Sequence, residues 1–233
     1  MKSSEGWHQY TLDTAKGKLE SNPMKIKYPR TFHLPFSLSV TADDKRLKDC
    51  SCFEGKEVVV TEKMDGENTT MGHDYIHARS LDSRDHLSRS WVKQLHGSIC
   101  QHIPIGWRIC GENVFAKHSI AYDNLKSYFY VFSIWNEKNE CLSWDDTVEA
   151  CSILGLETVA VLARFYLFDE DVIKAITVEP DKCEGYVLRN SSSFHYDDFS
   201  KNVAKYVRKG HVQTDNHWMH SQISRNGLIS VTD

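Results

Sequence analysis

The chain has 233 residues, 40% of them apolar and 26% charged, with a net charge of −4. This fits one sizeable globular domain, or one domain with an appendage, that can bury a core without disulfides or metal staples. The slight acidity excludes a surface that grips nucleic acid all round, but it leaves room for a local basic groove.

The N-terminus, MKSSEGWHQYTLD, has no apolar core, and the sequence holds no long apolar run, so neither secretion nor membrane spanning is expected. Residues 1–24 read as a polar appendage and residues 25–220 as the domain. Residues 221–233 read as a short tail, with no separate C-terminal domain. In KIKYPRTFHLPFSLSV, Pro29 and Pro35 forbid a continuous helix and predict extended or turn structure. ADDKRLKD reads as a polar connection or short helix. Cys50 and Cys52 are too closely spaced for a zinc knuckle, and the seven cysteines include no CxxC pair, which suggests reduced thiols in a cytoplasmic protein.

EVVVTEKM reads as a strand, DGEN as a turn and TTMGHDYIHARS as the returning strand of a hairpin. Beyond Ser88, the spacing of Trp91, Leu95 and Ile99 predicts a helix, and Gly106 closes the loop after it. WRICGENVF and SYFYVFSIWN read as strands. SWDDTVEACSILGL predicts a helix with Ser143 as N-cap, acids in its first turn and Gly155 past its end. TVAVLARFYLF is a further strand and DEDVIKAIT a short helix, followed by the strands EGYVLRN and NVAKYVRKG. Strands outnumber helices and the two are interspersed. The expected fold class is α+β, built on antiparallel sheets with flanking helices.

Several residues stand out against this frame. Lys63 ends an apolar strand and precedes the tight turn Asp65-Gly66, which makes it either a solvated lysine at a corner or a nucleophile. A lysine amine attacks only when neutral, so the second reading needs a depressed pKa. Glu112 interrupts an apolar run, as a strand end that surfaces or as a buried acid that is paired or binds a metal. Glu184 stands at the mouth of another apolar strand. Lys205 lies within the last one, where an edge-strand lysine is the plain alternative.

These signals occur in a fixed order: KMDG, CGE, an aromatic strand, EGYV, and a strand with an embedded lysine. In that order the sequence resembles the covalent nucleotidyltransferases, and within them most closely the ATP-dependent RNA ligases that seal nicks. The resemblance implies an adenylation domain with a nucleotide cleft between two antiparallel sheets. It implies ATP and Mg²⁺ (or Mn²⁺) as cofactors, and RNA or a nicked duplex as substrate. An end-processing kinase or phosphatase is an expected partner.

Position by position, the resemblance makes Lys63 the residue that forms lysyl-AMP. It places Glu62 at the adenine edge, and it gives Asn68 a part in ordering the metal. Arg79 matches the arginine that touches the ribose and 5′-phosphate. Glu112 matches the acid that binds the ribose or a metal-bound water, Glu184 the metal-binding acid, and Phe132 the ring that stacks on adenine; both acids are candidate metal ligands. Lys205 matches the lysine that neutralises the α-phosphate. A metal together with Lys205 is expected to depress the pKa of Lys63. The chain departs from the pattern at Ser133, where relatives often have an acid, and at Val207, where many have a second lysine. Arg208 or Lys209 stands in for that lysine, and Arg84 joins them as a candidate substrate contact. The run to His217 and Trp218 mixes basic and aromatic residues, which suits a nucleic-acid groove or a packed tail. Trp91, Trp107, Trp135 and Trp144 read as core or rim. The alternatives within reach are a minimal DNA ligase, a capping guanylyltransferase and a non-catalytic RNA-end-binding module.

Overall fold

The structure, a computed structural model, describes residues 25–210 and 224–230. The polar appendage 1–24 and the run that holds His217 and Trp218 lie outside the described residues.

Among the described residues, twelve short strands form two sheets. In chain order they are β1 (Phe32–His33), β2 (Val58–Lys63), β3 (Glu67–Gly72), β4 (Ile76–Ala78), β5 (Arg108–Asn113) and β6 (Phe129–Trp135). They continue with β7 (Glu140–Cys141), β8 (Glu157–Thr158), β9 (Val161–Phe165), β10 (Gly185–Asn190), β11 (Phe194–His195) and β12 (Val203–Val207). The first sheet runs β1-β12-β10-β2-β9. The second runs β11-β7-β6-β5-β3-β4, with β8 beside β6. The helices are α1 (Ser90–Ile99), α2 (Trp144–Leu154) and α3 (Glu170–Lys174). No helix among the described residues is long and apolar enough to cross a membrane.

The α+β class is as expected, and the sheets are antiparallel except where β1 joins β12 and β8 joins β6, both in parallel. Two expectations are corrected. Residues 58–78 do not form one hairpin around Asp65-Gly66: β2 pairs with β10 and β9, whereas β3 pairs with β5 and β4. The chain therefore leaves the first sheet at Lys63 and enters the second at Glu67. TVAVLARFYLF is likewise divided, with β8 on the second sheet and β9 on the first. In both places the residues have strand chemistry throughout. Pairing partners remote in sequence decide which sheet takes them.

The sheets carry three apolar layers. Val58 and Val60 pack with Leu34, Phe53, Ile173 and Leu188 behind the first sheet. Met71, Ile109, Val131 and Ile134 pack against Val92 of α1 and Ala150 of α2 behind the second. Val59 points the other way, towards Met64, Val114, Trp144 and Val159. Both faces of β2 are thus buried, which accounts for its unbroken Val58-Val59-Val60. Each fully buried valine contributes about 1.5–3 kcal/mol. Trp135, Phe199 and Val203 close a further part of the space.

The caps of α2 follow the sequence. Ser143 Oγ accepts from Asp146 N–H at 3.1 Å, and Gly155 ends the helix at φ 67°. The segment 224–230, expected to be part of a tail, is knitted into the domain by buried Asn226. Its Nδ2 donates to Val114 O at 2.8 Å, its Oδ1 accepts from Tyr122 N–H at 3.0 Å, and its carbonyl accepts from Tyr128 Oη at 2.9 Å.

Candidate active site

A cleft of about 950 Å³ opens between the sheets. Lys63 stands on its wall because β2 ends there and the chain crosses to the other sheet. Asp65 fixes that crossing: its Oδ2 accepts from Ser119 N–H at 2.8 Å, Ser119 Oγ at 2.5 Å and Ile120 N–H at 2.9 Å. Asp65 N–H donates to Tyr122 Oη at 2.9 Å, which ties the turn to the loop that Asn226 holds. Gly66 has no room for a side chain, since a Cβ would meet Asn113 O at 2.5 Å. Gly185, which faces Lys63 across the ladder, is tighter still, with Tyr206 O at 1.9 Å from such a Cβ.

Lys63 Nζ meets Glu184 Oε2 at 2.5 Å. Glu112 lies on β5 opposite Asn68 of β3, and its Oε1 accepts from Gly66 N–H at 3.1 Å. Lys205 is on β12, in register with Val187 of β10. β10 thus separates the strands of the two lysines. Glu62, Arg79, Arg84 and Phe132 also line the cleft, Arg84 with an exposed side chain and the other three half-buried. Arg208 and Lys209 do not line it. Arg208 Nε donates instead to Cys183 O at 3.0 Å, and Lys209 is exposed. Of the tryptophans, Trp107, Trp135 and Trp144 are buried, and Trp91 packs partly buried against the core.

The side chains around Lys63 act on it in opposite directions. Burial alone would lower the pKa of Lys63, but the carboxylates of Glu184 and Glu112 outweigh it and hold the ammonium above its ordinary value. The chain's own carboxylates therefore favour the protonated amine of Lys63, with the repulsion between Lys63 and Lys205 acting against them. Glu112 is pushed up to about 8 by burial, with Lys63 pulling it down and Glu184 adding to the rise. Burial raises Glu62 as well. Desolvation and the charge of Lys63 lower the pKa of Lys205.

No group of three or more His, Cys, Asp or Glu among the described residues could hold a metal ion. An oxygen-seeking cation nonetheless fits the two carboxylates, because the facing Asn68 Oδ1 is buried without a hydrogen-bond partner. Such an oxygen suits Mg²⁺ or a water in its shell.

Three contributors escape a reading of the sequence. Arg89 holds Glu67 through two bonds, Nε–Oε2 at 2.7 Å and Nη2–Oε1 at 2.5 Å, and so fixes the start of β3. Tyr28 meets Phe132 edge to face, with ring centroids 5.0 Å apart. Asp44 lies beside Lys205. Glu67 adjoins the KMDG motif and so had a local signal. Tyr28 and Asp44 lie in polar or proline-pinned stretches, where no periodicity marks the residue that faces a cleft.

The RNA ligase family model matches residues 56–207, well over half of the chain. The chain belongs to the RNA ligase family. Three solved structures of Naegleria gruberi RNA ligase share the fold of this family member. The ligase with pyrophosphate aligns over 82% of this chain and 61% of its own, with a TM-score of 0.50 and 18% identity. A lysine-to-alanine mutant with ATP and manganese aligns over 81% and 61%, again with a TM-score of 0.50 and 18% identity. An arginine-to-alanine mutant with the same ligands aligns over 83% and 63%, with a TM-score of 0.50 and 16% identity. The chain thus spans less than two thirds of those ligases. No curated protein sequence matches it.

Proposed function

We propose that this RNA ligase family member is an ATP-dependent RNA ligase that works through lysyl-AMP. The reading is carried by one observation: Lys63 stands on the wall of a cleft with Glu184, Glu112 and Lys205 grouped around it. Nucleotidyl transfer depends on placing a nucleophile in line with its leaving group and on neutralising charge, and these residues supply both.

Lys63 Nζ, once it gives up its proton to water, attacks the α-phosphorus of ATP. A P–N bond forms, and the bond to pyrophosphate breaks. Lys205 neutralises the non-bridging oxygens of that phosphate, and Arg79 takes the ribose and the 5′-phosphate. Phe132 stacks on adenine while Glu62 meets its edge. Glu112 and Glu184, with Asn68, would hold Mg²⁺ or Mn²⁺, which supplies positive charge to the phosphates. AMP then passes to the 5′-phosphate of a polynucleotide, and a 3′-OH displaces it to form the phosphodiester. Arg84 is a candidate contact for the RNA strand.

The test is covalent labelling. With Mg²⁺, label should enter the protein from α-labelled ATP and not from γ-labelled ATP, and Lys63→Ala should abolish it. Absence of label from the native protein, after pyrophosphate has cleared any AMP already bound, contradicts the reading.

A further inference from the structure

A buried polar chain runs from β12 to Lys205. Val207 N–H donates to Ser37 Oγ at 2.9 Å, and that oxygen lies 2.8 Å from His33 Nδ1. Ser37 Oγ keeps both a proton to give and a second lone pair to accept with, so either tautomer of a neutral His33 satisfies this contact. Nε2 stands 3.2 Å from Asp44 Oδ2, within ion-pair range but not aligned for a hydrogen bond. Thr41 N–H and Oγ1–H donate to the same oxygen at 3.1 and 2.9 Å. The other carboxylate oxygen of Asp44 lies 3.3 Å from Lys205 Nζ, and both side chains are only 13% exposed.

This arrangement separates two like charges. Lys63 and Lys205 share one cleft, and Glu184 is taken by Lys63 at 2.5 Å. Of the carboxylates that act on Lys205, that of Asp44 outweighs that of Glu184. We infer that Asp44 is a positioning residue for nucleotidyl transfer. It anchors Lys205 on its own carboxylate and so keeps that ammonium off Glu184 and turned to the α-phosphate. The inference rests on the nucleotidyl-transfer reading. Asp44 touches no reacting atom and acts through Lys205.

A competing account gives the opposite sign. A carboxylate on the cleft wall that does nothing for Lys205 only repels a polyphosphate, and its removal should tighten ATP binding. The test measures AMP transfer to the full chain, as the rate at saturating ATP and the half-saturating ATP concentration. Asp44→Asn should slow the saturated rate about tenfold and move half-saturation by less than about twofold. Asp44→Glu should recover most of the rate. In a Lys205→Ala background, Asp44→Asn should cost nothing further. A native rate in Asp44→Asn, tighter ATP binding at unchanged rate, or an additive loss in the double variant overturns the inference. If Asp44→Asn shows no cooperative unfolding, Thr41→Val decides, since it keeps the charge and removes one donor. A slower saturated rate in that variant supports the inference and an unchanged one overturns it. A native protein that takes no label removes the nucleotidyl-transfer reading itself.

Discussion

At the scale of single residues, the site is a set of acids and bases that hold one another. Lys63 is paired with Glu184 and Lys205 with Asp44, so each of these two cleft-lining ammonium groups has its own carboxylate. Short motifs announced the first pair, because each of its members breaks an apolar strand or sits at its mouth. Asp44 had no such signal, since one acid among Asp43, Asp44 and Lys45 looks like any solvated connection. Phe132 lies half-buried on the cleft wall. A base stacked on such a ring gains about 1–3 kcal/mol. Phe132→Ala should therefore raise the half-saturating ATP concentration about tenfold in the labelling assay, and should lower the thermal midpoint as well, because the ring packs against Tyr28 and the core.

At the scale of elements, the crossing between sheets matters more than either strand. Periodicity showed that residues 58–63 and 67–72 are strands, because β-branched and apolar runs say so directly. It could not show that they belong to different sheets, because that is settled by β10 and β5, which lie far along the chain. Residue chemistry alone favoured a hairpin, which is the shortest connection. The crossing is locked from below by Asp65, the loop at 119–122 and Asn226. Asn226→Ala strands buried partners at Val114 O, Tyr122 N–H and their neighbours, at about 1–3 kcal/mol for each group left unsatisfied. Its midpoint in urea should fall clearly. At temperatures where the variant is still folded, its rate of lysine labelling should fall too, because Tyr122 no longer steadies the turn. A fall in stability with full labelling would show that the Asn226 contacts are structural only.

At the scale of the whole molecule, the cleft is held open by layers of core on its outer faces and by apolar contacts at its closed parts. The α+β class was legible, because it follows from the alternation of strand and helix signals. The parallel pairs β1–β12 and β6–β8 were not, since two-residue strands carry no pattern of their own. Stability should also respond to pH through His33. Burial, reinforced by the charge of Lys205, lowers its pKa from 6.5 to about 4. The unfolded chain then binds a proton that the folded chain refuses. Stability is complete above about pH 6.5 and is lost as pH falls towards 4, by about 1–2 kcal/mol after allowance for screening. Asp44 stays ionised across that window: Thr41 and Lys205 hold it down to about 2, although burial acts in the opposite direction. Buried His77 is also lowered, first by burial, and adds to the same slope. His33→Asn should flatten the fall in thermal midpoint between pH 7 and pH 4.5 without removing it.

The measurement that bears most directly on the account is the site of the covalent adduct. The native protein would be incubated with ATP and Mg²⁺, digested, and its peptides read by tandem mass spectrometry. One AMP is expected on Lys63, lost in mild acid and stable to alkali, as a P–N bond requires. AMP on another residue, or an unmodified Lys63 in a protein shown to be free of bound AMP beforehand, would contradict it.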